Sequence, residues 1–445
     1  MARQPNILLV HCHDLGQFLH CYGVETVHTP NLDAFSAEGV RFAHSYSTAP
    51  QCSPSRASIF TGRYPHSTGV MGLVHGDFGW DLYPEERHLG QFLKDAGYAT
   101  AGVGIIHETR SGPTRCGLDE YSPESFANEA TPVAAEYLKR FACDPARPFY
   151  LQVGFFEPHR LDSSDPDADY GFLGTRFGPD MELGVSVPGY LRDTEGTRAE
   201  LAELQGAVRH VDEQFGRLMG ALLHHNLLDN TLVIFTTDHG VALPRAKCTL
   251  HDPGIEVALI LRLPSRAGWH GGLTVKPLIS NIDYLPTILD LLGLPVPRNV
   301  QGRSFVPLLD REDYVTRDAI YSEFTYHQYY DPRRCIRTET HKLIVNFSSA
   351  RAFMDPSQSW RPRSDTLVPV NNAHAFHPAA ELYDLRTDPW ELCNLVEDPD
   401  QTASREALRA RLHHHLVETE DPILDGEVIS PMHRKAVAFL EEGAV

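Results

Sequence analysis

Two apolar runs in this chain end in clusters of side chains able to hold a metal ion. Ile7-Leu8-Leu9-Val10 leads into His11-Cys12-His13-Asp14 and then Gly16, and Thr231 to Phe235 leads into Thr236-Thr237-Asp238-His239-Gly240. Carboxylate oxygens and imidazole nitrogens are both competent ligands, so two Asp–His pairs brought together would make a site for one divalent cation. The competing account is that Asp14 and Asp238 cap helices while the imidazoles stay in water. The two pairs alone do not choose between them. A third stretch carries different chemistry: Gln51-Cys52-Ser53-Pro54-Ser55-Arg56, running on as Ala57-Ser58-Ile59-Phe60-Thr61-Gly62-Arg63. Ser53 can cap and Pro54 suits the first helical position. Cys52 then stands at a helix N-terminus, where free N–H groups and the dipole favour an anion. Arg56, on the same turn, can reach back towards it. The plain alternative is a buried structural cysteine beside a surface arginine.

Such residues need a scaffold that gathers them. In open α/β sheets, ligands bind outside the carboxyl ends of the strands. Ile7 to Val10, Ala99 to Gly104, Phe149 to Phe155, Thr231 to Thr236 and Val257 to Leu261 read as buried strands. They are mostly continuous rather than alternating, as in a parallel sheet covered on both faces. Leu89 to Ala96 reads as a helix between them. So does Thr197 to His225, where Leu201, Leu204, Val208, Val211, Phe215, Leu218 and Leu222 recur at three- and four-residue spacing. The fold class is therefore α/β. Around 300–320 the texture changes to prolines and then aromatics, and Arg334 to Phe347 and Glu381 to Leu385 predict strands of a smaller sheet. A helix from about Ser404 to Glu418 follows, and 355–378 reads as a long loop. The expected division is a catalytic domain over 1–330 and a smaller α+β domain with an antiparallel sheet over 331–445.

Composition narrows the function. Acidic residues outnumber basic ones, 59 to 39, for a formal charge of −20, which excludes a protein that tracks nucleic acid by a basic footprint. A small anionic substrate stays open, because a few buried cations can dominate one pocket. Long anionic polymers would be poorly steered, which favours short substrates. No stretch approaches the roughly 18 apolar residues of a membrane span, so no membrane partner is expected. Met1 to Pro5 runs straight into the first strand without the apolar stretch of a signal peptide. With eight singly scattered cysteines, a cytoplasmic protein with reduced thiols is expected.

Cys52-Ser53-Pro54-Ser55-Arg56 matches the C-x-P-S-R signature, and Thr61-Gly62-Arg63 and Asp238-His239-Gly240 follow in the expected order. On these motifs the chain resembles the sulfatase family of the alkaline-phosphatase superfamily. Glu381-Leu382-Tyr383-Asp384-Leu385, Asp388-Pro389 and Asn394-Leu395 extend the likeness into the C-terminal part. Within the family, Gly72-Leu73-Val74-His75, Glu157-Pro158-His159-Arg160, Leu243 to Lys247 and Glu418 to Pro422 are similar to the heparan N-sulfatase branch.

The resemblance implies an alkaline-phosphatase-like large domain and a hydrolase of sulfate esters or sulfamates, on a sugar. It implies that a formylglycine-generating enzyme oxidises Cys52 to formylglycine, whose hydrate attacks sulfur with the help of a divalent metal. Asp14, Asp238, His239 and residue 52 would hold that metal, Ca2+ by family usage. His13 stands where the family usually has a second aspartate, and losing that hard oxygen ligand points towards Mn2+ or another transition metal. Arg56 would hold the modified residue, Lys247 would bind sulfate, His159 would contact sulfate or protonate the leaving atom, and His107 is a further catalytic candidate. His75, Glu157 and Arg160 are the substrate-pocket candidates, an arginine suiting a carboxylate or second sulfate. A homo-oligomer is a further expectation. One departure matters: the family's Gly-Lys-x-His appears here as Gly104-Ile105-Ile106-His107, so the usual sulfate-binding lysine is missing. Arg110 or Arg245 could replace it. Phosphonate monoester and phosphodiester hydrolases of the superfamily also lack that lysine and are the first rival. A non-catalytic sulfated-glycan binder is the second.

Overall fold

The apolar runs become the inner strands of an eight-stranded sheet. A computed structural model describes residues 4–160, 171–172, 177–348, 363–368 and 376–442. In spatial order the strands are Glu120–Ser122, Ala99–Gly104, Phe149–Gly154, Asn6–Cys12, Thr231–Thr237, Leu259–Arg262, Val40–Phe42 and Leu273–Val275. The first five run parallel. Leu259–Arg262 runs antiparallel to both neighbours. The segment before it stays at the carboxyl end of the sheet, so the chain re-enters from that end and must run back.

Both faces are covered, which explains the unbroken apolar runs. Leu8 and Val10 join Leu32, Phe35, Ala130, Leu138, Leu201 and Phe215 beneath the helices Pro30–Glu38, Ala127–Ala142 and Glu195–His224. Ile7 and Leu9 join Ile59, Phe60, Leu89, Leu285 and Ile288 under Cys52–Thr61, Leu89–Asp95 and Tyr284–Leu291. Each of the buried Leu, Ile, Val and Phe side chains contributes roughly 1.5–3 kcal/mol of transfer free energy. The long helix starts two residues before its expected first residue, at a turn where Thr194 Oγ1 accepts the Thr197 N–H at 3.1 Å. Its apolar stripe is the one read from spacing.

A four-stranded antiparallel sheet follows: Ile320–Tyr326, Tyr330–Arg337, His341–Asn346 and Ala380–Asp384. It begins ahead of residue 331, the expected start of the smaller domain. The helix Thr402–Glu418 covers it with Leu408, Leu412 and Leu416, and the same cluster takes in Ala57, Val70, Met71 and Trp80 from the first unit. The opposite face meets Tyr46, Leu250, Ile255 and Leu278. The smaller sheet is thus clamped onto the elements that follow Cys52. The loop expected over 355–378 falls mostly outside the described residues. Among the described residues no helix is long and apolar enough to cross a membrane.

Candidate active site

Strand register brings the two Asp–His clusters together. His11 lies opposite Thr236 and Cys12 opposite Thr237, so both strands end at one level. Asp14 turns there in a left-handed conformation, φ 49°, which aspartate tolerates better than most residues. Its N–H donates to Asp238 Oδ1 at 3.0 Å, and the His239 N–H donates to the same oxygen at 2.9 Å. Asp238 Oδ2 accepts from Arg56 Nε at 3.0 Å. Gly240 is forced: a Cβ there would lie 1.8 Å from the Pro253 carbonyl oxygen. Cys52 opens a helix, Cys52–Thr61, whose ten residues are all buried. That helix is moored by Ser55, whose hydroxyl donates to the Asp238 carbonyl, and by Asn281, which donates to Ser55 Oγ at 2.9 Å and accepts from Thr48 N–H at 3.1 Å.

At the centre, Cys52 Sγ is 3.4 Å from His239 Nε2 and 4.0 Å from Asp14 Oδ1. His239 Nδ1 lies 2.9 Å from the Gly240 carbonyl, to which it donates, so Nε2 is the nitrogen that faces Asp14 Oδ1, at 3.0 Å. Ligand atoms of Asp14, Cys52, Asp238 and His239 all lie within 4.8 Å of one another. The ring nitrogens of His13 are buried without a hydrogen bond, and Nδ1 is 3.1 Å from Asp238 Oδ2. Two carboxylates, two imidazoles and orphaned buried nitrogens fit a divalent cation. The electrostatics agree. Burial disfavours charge on His239, yet Asp238 and Asp14 outweigh it and raise its pKa to about 10. Burial likewise opposes ionisation of Asp14, but Lys247, His159 and His239 hold it well below the usual carboxylate range. The Cys52 thiol is held well below its ordinary value by Lys247 and His239, against its burial.

Lys247, fully buried, donates to Asp14 Oδ2 at 2.8 Å and to His159 Nε2 at 3.2 Å. His159 Nδ1 sits 2.7 Å from the Arg160 carbonyl and carries the proton, which makes Nε2 the acceptor for Lys247. His107 and His75 complete a row of imidazoles. Ring centroids of His75 and His107 are 5.0 Å apart, of His107 and His13 6.0 Å, and of His13 and His159 5.3 Å. The row runs from exposed His75 to the buried centre. Burial lowers the His107 pKa to about 3, so that ring is neutral. Ile105 is half-buried. Arg245, one expected substitute for the missing lysine, is buried with its guanidinium on the Glu391 carbonyl. Arg110, the other, is exposed.

Glu157 and Arg160 have structural engagements. Glu157 Oε2 accepts the N–H of Ala127, the first residue of the Ala127–Ala142 helix, at 2.8 Å. Arg160 is 2% exposed, 2.6 Å from Glu200 Oε1, and donates to the Ala242 carbonyl at 2.8 Å. Reasoning from sequence missed Asn281 and gave no role to His11, whose Nδ1 lies 2.6 Å from Arg56 Nη1. His11 could have been singled out as a polar residue ending a strand that is otherwise apolar.

A sheet that delivers paired carboxylates, imidazoles and a helix-borne cysteine to one point defines an alkaline-phosphatase-like hydrolase. The sulfatase family model matches residues 5–294, and the chain belongs to that family, enzymes that hydrolyse sulfuric esters. Membership implies a divalent metal and a formylglycine in general. A model of the C-terminal part of N-sulphoglucosamine sulphohydrolase matches residues 245–355. Human N-sulphoglucosamine sulphohydrolase is 29% identical, across 95% of this chain and 91% of its own length. Among solved structures, one in complex with its substrate D-glucosamine-2-N,6-O-disulfate has a TM-score of 0.70 at 21% identity, covering 96% of this chain and 100% of its own. The phosphonate monoester hydrolase of Agrobacterium radiobacter also scores 0.70, at 20% identity, over 94% and 96%.

Proposed function

We propose that the chain is a formylglycine- and metal-dependent sulfatase that cleaves a sulfate ester or sulfamate on a short sugar, with an N-sulfoglucosamine-like unit as substrate. The observation that carries the proposal is the placement of Cys52 as first residue of a buried helix, its sulfur against His239 and Asp14. The sugar rests on the likeness to N-sulphoglucosamine sulphohydrolase along nearly the whole of both chains.

Asp14, Asp238, His239 and His13 would hold the cation, with residue 52 as a further ligand. When bound, it would polarise the nucleophilic oxygen of hydrated formylglycine and the sulfuryl oxygens. The mixed oxygen and nitrogen donor set suits Mn2+ or another transition ion better than Ca2+. Lys247 keeps Asp14 ionised and offers a cation to the sulfuryl group. Its N–H on His159 Nε2 gives a proton route towards the departing atom, since His159 lies half-buried at the mouth. Arg56 holds Asp238 from behind.

The test is the intact mass of the tryptic peptide Phe42 to Arg56 from cells that make the formylglycine-generating enzyme. The aldehyde at residue 52 is the expected product, and an unmodified thiol in a competent host rejects the mechanism. Ile105 favours a second reading, hydrolysis of a phosphonate monoester or phosphodiester. Paired assays on aryl sulfate and aryl phosphodiester decide between them, with faster turnover of the sulfate expected.

A further inference from the structure

Ile7, Leu9 and His11 alternate along one face of the first strand, towards the Cys52–Thr61 helix. His11 is 2% exposed, and its Nδ1 lies 2.6 Å from Arg56 Nη1. Its ring meets Phe60 edge-on, centroids 5.7 Å apart. Across the ladder lies Gly154, where a Cβ would come within 2.6 Å of His11 Cε1. Gln152, on the same face as Gly154, sets its Nε2 3.4 Å from His11 Nε2, and its Oε1 lies 3.0 Å from the Tyr150 hydroxyl.

The donor and acceptor roles follow from Arg56. A guanidinium is cationic and only donates, so Nδ1 must offer its lone pair. The one proton of the neutral ring then sits on Nε2 and points at Gln152, which requires the amide oxygen and nitrogen to exchange places, the oxygen accepting from the ring and the nitrogen donating to the Tyr150 oxygen. The chain Tyr150–Gln152–His11–Arg56 ends on Asp238 Oδ2, 3.0 Å from Arg56 Nε.

We infer that His11 is a positioning residue of the hydrolytic site, a neutral acceptor that fixes the Arg56 guanidinium and, through it, Asp238. The inference rests on the function proposed above. A slot that needed only filling would take an apolar side chain of similar size. A guanidinium that must be aimed needs the acceptor.

The experiment compares His11→Leu, which fills the slot, with His11→Asn, whose Oδ1 falls near the place of Nδ1. Each variant is assayed for kcat and KM on an aryl sulfate, and each is crystallised to locate Arg56. His11→Asn is expected to keep most of kcat with Arg56 in place. His11→Leu is expected to lose about 10²-fold in kcat, the effect of a group displaced by about 1 Å, with KM little changed. A His11→Leu enzyme with full kcat and an unmoved Arg56 overturns the inference, as does His11→Asn falling as far as His11→Leu. If the wild-type protein turns over no aryl sulfate, the function proposed above fails, and the position of Arg56 in the two variants still decides the role of His11.

Discussion

Lys247 is a buried cation with two dependants, the Asp14 carboxylate at 2.8 Å and the His159 imidazole at 3.2 Å. Lys247→Met removes the cation and keeps the bulk. It should lower kcat/KM on a sulfate ester by about 10²–10³-fold, the usual cost of losing one preorganised donor in a water-poor site. Steady-state kinetics on an aryl sulfate check this, and near-wild-type kcat/KM would show that Lys247 only balances charge. His13 carries a different prediction. Replacing its nitrogen by oxygen in His13→Asp should move metal preference towards Ca2+. Reconstitution of chelated protein with Ca2+ or Mn2+, read by activity and by metal content, tests it; an unchanged preference would place His13 outside the coordination set. The candidate cluster was legible because aspartate, histidine and cysteine at strand and helix ends are rare types in places where only function or a cap explains them; Lys247 came only from the resemblance.

At the scale of elements, what could be read depended on whether the partner lay nearby in sequence. Ala99–Gly104 was delimited to the residue. The direction of Leu259–Arg262 could not be read, because an apolar run looks the same in either sense. Glu157 and Arg160 were expected at the substrate, yet their partners sit on distant helices: the Ala127 N–H and the Glu200 carboxylate. No local pattern announces such a partner. Arg160→Met separates the two roles. It leaves Glu200 buried without its guanidinium, which should cost about 3–5 kcal/mol of stability. A lowered melting temperature with unchanged KM is expected; a raised KM at unchanged melting temperature would return Arg160 to the substrate.

Across the whole molecule, the two sheets are joined behind the site by a buried knot of charge. His66, shortly after the Cys52–Thr61 helix, sets its backbone N–H on Glu323 at 2.8 Å and its Nδ1 on the same carboxylate. Its Nε2 faces the Thr419 carbonyl at 3.2 Å, so both nitrogens meet acceptors and the ring is held as imidazolium. Asp421 lies 3.6 Å from Nδ1 and is gripped by Arg334 Nε at 2.5 Å and Nη2 at 2.9 Å. Two cations thus face two carboxylates: His66 comes from the first unit, and Glu323, Arg334 and Asp421 come from the smaller one. Burial alone would lower the His66 pKa, but Glu323 and Asp421 outweigh it and raise it. A group whose folded pKa is raised contributes stability that is complete below its unfolded value, about 6.5, and is lost as pH rises through the folded value. The wild-type melting temperature should therefore fall on going from mildly acidic to alkaline pH, by a slope that His66→Gln removes. The variant should be the less stable protein at pH 6 and should approach the wild type at high pH. Parallel melting curves across that range would mean that His66 is neutral in the folded protein and that its ion pair does not join the two sheets.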